Sequence, residues 1–176
     1  MNTKSYKQTT YESCLAFCLL MLLDKKPTRS EEINTWKRGW KFNYLLGQLN
    51  YFSRKHKKHF NIWVENTYYF KELKKKECDR INLINQKIDI RLIKSLLNDE
   101  KLIIYLDGYY MHYTVHYAHF ILGMKIDKEN KIETIDPYAG KAEVVPFGQI
   151  KKGIISLRNH LKFSPILIQE RKENRS

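Results

Sequence analysis

The sequence predicts an α+β domain in which helices come first and pack on an antiparallel β-sheet. Helical spacings of apolar residues fill positions 14–55, alternating or β-branched runs dominate after position 100, and the two do not interleave as βαβ units would. The 176 residues suit a single domain over 1–176, long enough to bury about 70% of the surface its unfolded chain exposes. A hydrophobic fraction of 43%, with only 7 Gly and 4 Pro, excludes a disordered or linker-rich chain. No apolar run reaches 18 residues, so a membrane-spanning helix is not expected.

Residues 14–24 read as a buried helix, and a second opens at Pro27-Thr28-Arg29-Ser30-Glu31, where Thr28 and Glu31 stand at capping-box spacing and Gly39 is the expected stop. From Asn43 to about Lys55 the apolar positions Leu45, Leu46, Leu49 and Phe52 recur at helical spacing. Phe60 to Val64 alternates as a short strand. Asp89 caps a helix over 90–97, and Leu102 to Leu106 follows as a β run. Residues 120–126 and 131–136 flank the polar turn Asp127-Lys128-Glu129-Asn130 as a hairpin, and strands near Glu143–Val145 and 165–168 complete the sheet.

The opening apolar segment could be a secretion signal, but Leu22-Leu23-Asp24-Lys25-Lys26-Pro27 offers no small-residue cleavage site, so it is expected to stay as a core helix. Three cysteines, Cys14, Cys18 and Cys78, form neither a paired framework nor a Cys-x-x-Cys motif. That odd count predicts a reducing, cytoplasmic compartment and at least one free thiol.

The net charge of +13 is concentrated: residues 37–76 carry 11 Lys/Arg against 2 Asp/Glu. Such a lobe is either a solvated face or an attractor of nucleic acid, an anionic membrane or an acidic peptide. Trp36, Trp40, Tyr44 and Trp63 could stack on bases, but the need to pack three tryptophans in a domain of this size places them in the core instead.

Chemistry points elsewhere. Cys14 opens an apolar helix, where exposed amides stabilise a thiolate; Cys18, one turn deeper, reads as core. A cysteine nucleophile needs a base and a group that orients the base. His119, ahead of strand 120–126, and Asp136, at the end of the next strand, arrive at the same end of the predicted hairpin. His112, His116 and His119 would hold zinc only if their segment bent, since alternation splits them between two faces. His56, His59 and His160 read as surface residues.

The ordered set of Gln8, Cys14 six residues later, His119 before an apolar strand, and Asp136-Pro137 seventeen residues on resembles the bacteriocin-processing, double-glycine-leader cysteine peptidases and their C39-like relatives of the papain superfamily. The resemblance spans nearly the whole chain and looks like the stand-alone form. It implies a papain-like fold, hydrolysis of a peptide bond in a leader or other small peptide, and no cofactor or metal. It also implies Cys14 as nucleophile, His119 as base, Asp136 as orienting residue and Gln8 as oxyanion donor. Leu15 stands where the family usually has Gly after the nucleophile, and Ala118 where it often has Gly before the histidine. The same residues would serve a papain-like acyltransferase, and an inactive relative would bind a leader-like peptide without cutting it.

Overall fold

The computed structural model describes residues 7–23, 27–41, 43–111 and 113–171, so Asp24, at the end of the first predicted helix, and His112 lie outside the described residues. Helices start where short polar side chains satisfy the first-turn amides. Thr28 accepts from the Glu31 amide at 3.2 Å, Asn43 from the Leu45 and Leu46 amides, both at 3.1 Å, and Asp89 from the Leu92 amide at 3.0 Å. These begin α2 (Arg29–Trp40), α3 (Tyr44–His56) and α5 (Ile90–Asp99), while α1 (Cys14–Met21) precedes them. In α1 every residue from Cys14 to Leu20 is buried, as an all-apolar helix must be.

Gly39 does not stop α2, which runs on to Trp40. It is a contact residue: a Cβ there would meet the Tyr44 carbonyl oxygen at 3.0 Å and the Gln48 side chain at 3.1 Å. At the same crossing a Cβ on Gly47 would lie 2.4 Å from the Arg38 carbonyl oxygen, so α2 and α3 approach backbone to backbone.

The strands are β1 (Phe60–Val64), β2 (Ile81–Asn85), β3 (Leu102–Asp107), β4 (Ala118–Ile126), β5 (Lys131–Asp136), β6 (Lys141–Pro146) and β7 (Ile166–Glu170). They form one seven-stranded sheet in the order β2-β1-β7-β3-β4-β5-β6. The expectation of a purely antiparallel sheet is corrected: β1 and β2 run parallel, and the remaining pairings are antiparallel. The parallel pair exists because a helix, α4 (Thr67–Lys74), crosses over between its strands. Asn66 caps α4 by accepting from the Tyr69 amide at 2.8 Å.

The expected order of helices and then sheet also needs correction, because α4, α5 and α6 (Phe147–Asn159) fall among the strands. Side-chain alternation divides the interior in two. Ile62, Ile103, Phe120, Leu122, Ile166 and Ile168 face α1 and α3 on one side, whereas Trp63, Ile104, Ile121 and Leu167 face α5 and α6 on the other. The fold is α+β with helices on both faces of a mixed sheet. Among the described residues no helix is long and apolar enough to cross a membrane.

Candidate functional site

Cys14 is the first residue of α1 and is 6% exposed. The preceding residue, Ser13, makes no side-chain cap to the helix. Its hydroxyl turns instead to Glu32, whose buried carboxylate also accepts from the Thr9 amide at 2.6 Å and the Thr9 hydroxyl at 2.8 Å. Segment 9–13 is thereby pinned to α2, and Cys14 is delivered at a fixed point against β4. Leu15 behind it is fully buried among the apolar residues facing α1, so its side chain is housed in the core, away from the thiol's open side.

His119 enters from β4, opposite Leu106 of β3, and is 1% exposed. Its Nε2–H donates to Asp136 Oδ1 at 3.1 Å, which leaves Nδ1 for the Cys14 thiol. Tyr117 and Tyr113 wall the ring, with centroids 5.2 and 5.9 Å from it. Asp136, at the end of β5, also accepts from the Tyr138 amide at 2.8 Å and the Ala139 amide at 3.4 Å, a local turn made by Pro137 ending the strand. Its Oδ2 is buried and meets no partner at hydrogen-bond geometry, although Tyr113 lies beside the carboxylate and helps to keep it charged.

Electrostatics follow from this geometry. Burial pushes the Cys14 thiol up, but hydrogen bonding and charge from His119, with the Phe120 and Leu15 amides, bring it below its ordinary value. Burial pulls His119 down, yet Asp136 and Cys14 together raise it to about 9. Burial also opposes ionisation of Asp136, and His119, Tyr113 and the Tyr138 amide outweigh it. Both shifts favour the thiolate and the imidazolium over the neutral pair. Cys18, one turn further, is pushed well above its ordinary value by burial and by the negative charges at Cys14 and Asp136; its thiol donates to the Phe120 carbonyl at 3.6 Å. All three cysteines are free thiols.

Gln8 is half-buried, and its backbone amide donates to the Pro137 carbonyl at 2.8 Å, tying the first described residues to the turn after Asp136. Its side-chain amide donates to the carbonyls of Thr10, at 2.8 Å, and Tyr11, at 3.0 Å. The structure thus brings Cys14, His119 and Asp136 into one chain of contacts and places the Gln8 carboxamide in the adjoining turn. His116 belongs to a different acid, with Nδ1 2.6 Å from Asp107 Oδ2, so His116 and His119 are held by separate carboxylates. Of the histidines expected at the surface, His160 is exposed, whereas His56 and His59 are half-buried, the latter 3.0 Å from Arg80 Nη1.

Cys14 and His119 open into a cleft of about 550 Å³ whose walls include Tyr11, Trp40, Tyr44, Tyr105 and Tyr117. Trp63 is buried and Trp36 half-buried, but Trp40 is 70% exposed and Tyr44 37%, which corrects the expectation that these aromatics fill the core. Sequence reasoning also missed Glu32 and the site role of Tyr44. The Tyr44 hydroxyl donates to the Glu12 carbonyl, and burial, with the negative charge of Cys14, raises its value. The one signal for Glu32 is its helical spacing with Thr35 and Gly39, which marks the buried face of α2. A comparison of the whole chain with protein-family models and with curated proteins finds no match.

Proposed function

We propose that this protein is a cysteine peptidase of papain-like, C39-like type, acting on a peptide or protein substrate. The observation that carries the reading is the continuous arrangement of Cys14, His119 and Asp136 at the floor of an aromatic cleft. The Cys14 thiolate attacks the scissile carbonyl, forming the S–C bond and moving the carbonyl π pair onto oxygen. His119 gives its Nδ1 proton to the leaving amine as the C–N bond breaks. It then takes a proton from water, which hydrolyses the thioester, releases the acid and regenerates the thiolate. Asp136 holds the ring through Nε2 and favours imidazolium.

Gln8 is the proposed oxyanion donor; to serve, its amide exchanges one of its two turn bonds for the oxyanion. Acyl transfer to an amine or thiol uses the same residues and differs only in which nucleophile resolves the thioester. Free thiols at all three cysteines fit a reducing, cytoplasmic setting.

The test is incubation with an electrophilic peptide library, followed by mass spectrometry of the adduct and by turnover of the preferred sequence. Labelling at Cys14, and a loss of turnover of about 10⁴-fold or more in Cys14→Ala and His119→Ala with the fold intact, is the expected result. Preferential labelling of Cys18 or Cys78 would sink the reading.

A further inference from the structure

A second cleft, of about 510 Å³, lies on the outer side of α2 and α3 and is lined by Arg38, Asn50, Tyr51, Arg54 and Lys55. The Tyr51 ring gathers two cations, with the Arg38 guanidinium carbon 4.9 Å and Lys55 Nζ 5.7 Å from its centroid. Asn50 accepts from Cys78 through Oδ1 at 2.7 Å, which turns its amide nitrogen into the remaining polar function. Glu31, 3.8 Å from Lys55, is the acid recorded at this edge among the described residues, and Arg38 and Arg54 are exposed. The groove presents hydrogen-bond donors and positive charge, and two planar guanidinium forks suit carboxylates.

Its position relative to the candidate active site selects the occupant. Arg38 lines the groove while Gly39 and Trp40, the next two residues of the same helix, line the catalytic cleft. The end of α2 thus stands between the two clefts. A helix is about 10–12 Å across and an extended peptide advances about 3.3–3.6 Å per residue, so about three or four substrate residues cross from one cleft to the other.

The geometry points to an acidic-peptide subsite here: a substrate held at Cys14 places Asp or Glu side chains, about three to five positions from the scissile bond, on Arg38, Arg54 and Lys55. This rests on reading the cleft at Cys14 as a peptidase site. A nucleic acid would need phosphate contacts repeated along a track, whereas this groove holds three cations at one spot, two of them already over the Tyr51 ring.

The experiment compares two synthetic peptides that differ only in three Glu or three Gln at the positions flanking the cleaved sequence, scanned on both sides. Binding of the fluorescent peptides to Cys14→Ala is read by anisotropy, and kcat/KM is measured with the unaltered chain. At low salt the Glu peptide is expected to be favoured roughly 3- to 10-fold in both readouts, the size of two or three exposed ion pairs. Arg38→Gln with Arg54→Gln should remove most of that preference, with Lys55 keeping the remainder. Equal cleavage of both peptides overturns the subsite while leaving the peptidase reading intact. Preferential binding without turnover of either peptide does the reverse. A single-stranded oligonucleotide that displaces the Glu peptide and loses affinity in the same double variant overturns the choice of occupant.

Discussion

The Ser13 hydroxyl meets the buried Glu32 carboxylate, so the side chain just before Cys14 is fixed to a neighbouring helix rather than to its own. Glu32→Ala would remove the buried carboxylate to which the Thr9 amide, the Thr9 hydroxyl and the Ser13 hydroxyl donate. An unmet buried polar group costs about 1–3 kcal/mol, so a fall in the denaturation midpoint of at least that size is expected. Because segment 9–13 joins Gln8 to Cys14, kcat should fall as well, and Glu32→Gln should recover more stability than turnover. Full activity in Glu32→Ala would show that α1 holds Cys14 unaided.

The thiolate–imidazolium pair fixes the pH profile. On the acid side kcat/KM rises as Cys14 ionises, below its ordinary value of 9.0, and on the alkaline side it falls as His119 loses its proton near 9, both limbs belonging to the coupled pair. The folded value of His119 exceeds its ordinary 6.5, so its contribution to stability is complete below about pH 6.5 and is lost as pH rises through about 9. Asp136→Asn removes the largest group that raises His119, so the alkaline limb should move to lower pH and kcat should drop by about 10²–10⁴-fold. An alkaline limb unmoved by Asp136→Asn would mean that another group sets it.

Gln8→Ala tests the oxyanion assignment. Removing a donor to the tetrahedral intermediate costs about 10²–10³-fold in kcat with little change in KM. Since the same amide closes the turn onto Thr10 and Tyr11, a thermal melt on the variant separates loss of the donor from loss of the turn. Equal losses in kcat and in stability at the assay temperature would assign Gln8 to the turn alone.

Gly47→Ala places a methyl group where the Arg38 carbonyl oxygen stands 2.4 Å away. Backbone on both sides must move, at a cost of about 1–3 kcal/mol. Because Tyr44 and Trp40 flank this crossing, the variant should also weaken peptide binding in the cleft. A midpoint unchanged in chemical denaturation would show that the helices part without cost.

The elements most legible in the sequence were those with local signals: the caps at Thr28 and Asp89, the apolar repeat of α3, the all-apolar α1 and the hairpin of β4 and β5. His119 and Asp136 could be paired from sequence because a short turn joins their strands. What escaped depended on distant partners. Ile81 and Leu83 alternate with polar residues, but β2 follows a lysine run and pairs in parallel with a strand reached only through α4. The helix α6 holds Gly148 and Gly153, which weaken local helix preference, and it forms because Phe147, Ile150, Ile154 and Leu157 are buried on one side. Trp40 and Tyr44 were expected in the core because nothing local distinguishes an aromatic that lines a cleft from one that fills an interior.

The strand order holds a consequence for the timing of synthesis. Cys14 is made well before β7, which lies between β1 and β3 and supplies Ile166, Leu167 and Ile168 to both interiors. Until residues 166–170 emerge, β1 and β3 each keep an unpaired edge and the sheet stays in two pieces. The two pieces of the sheet are therefore joined only when β7 has been made, well after Cys14 and the strands that carry His119 and Asp136.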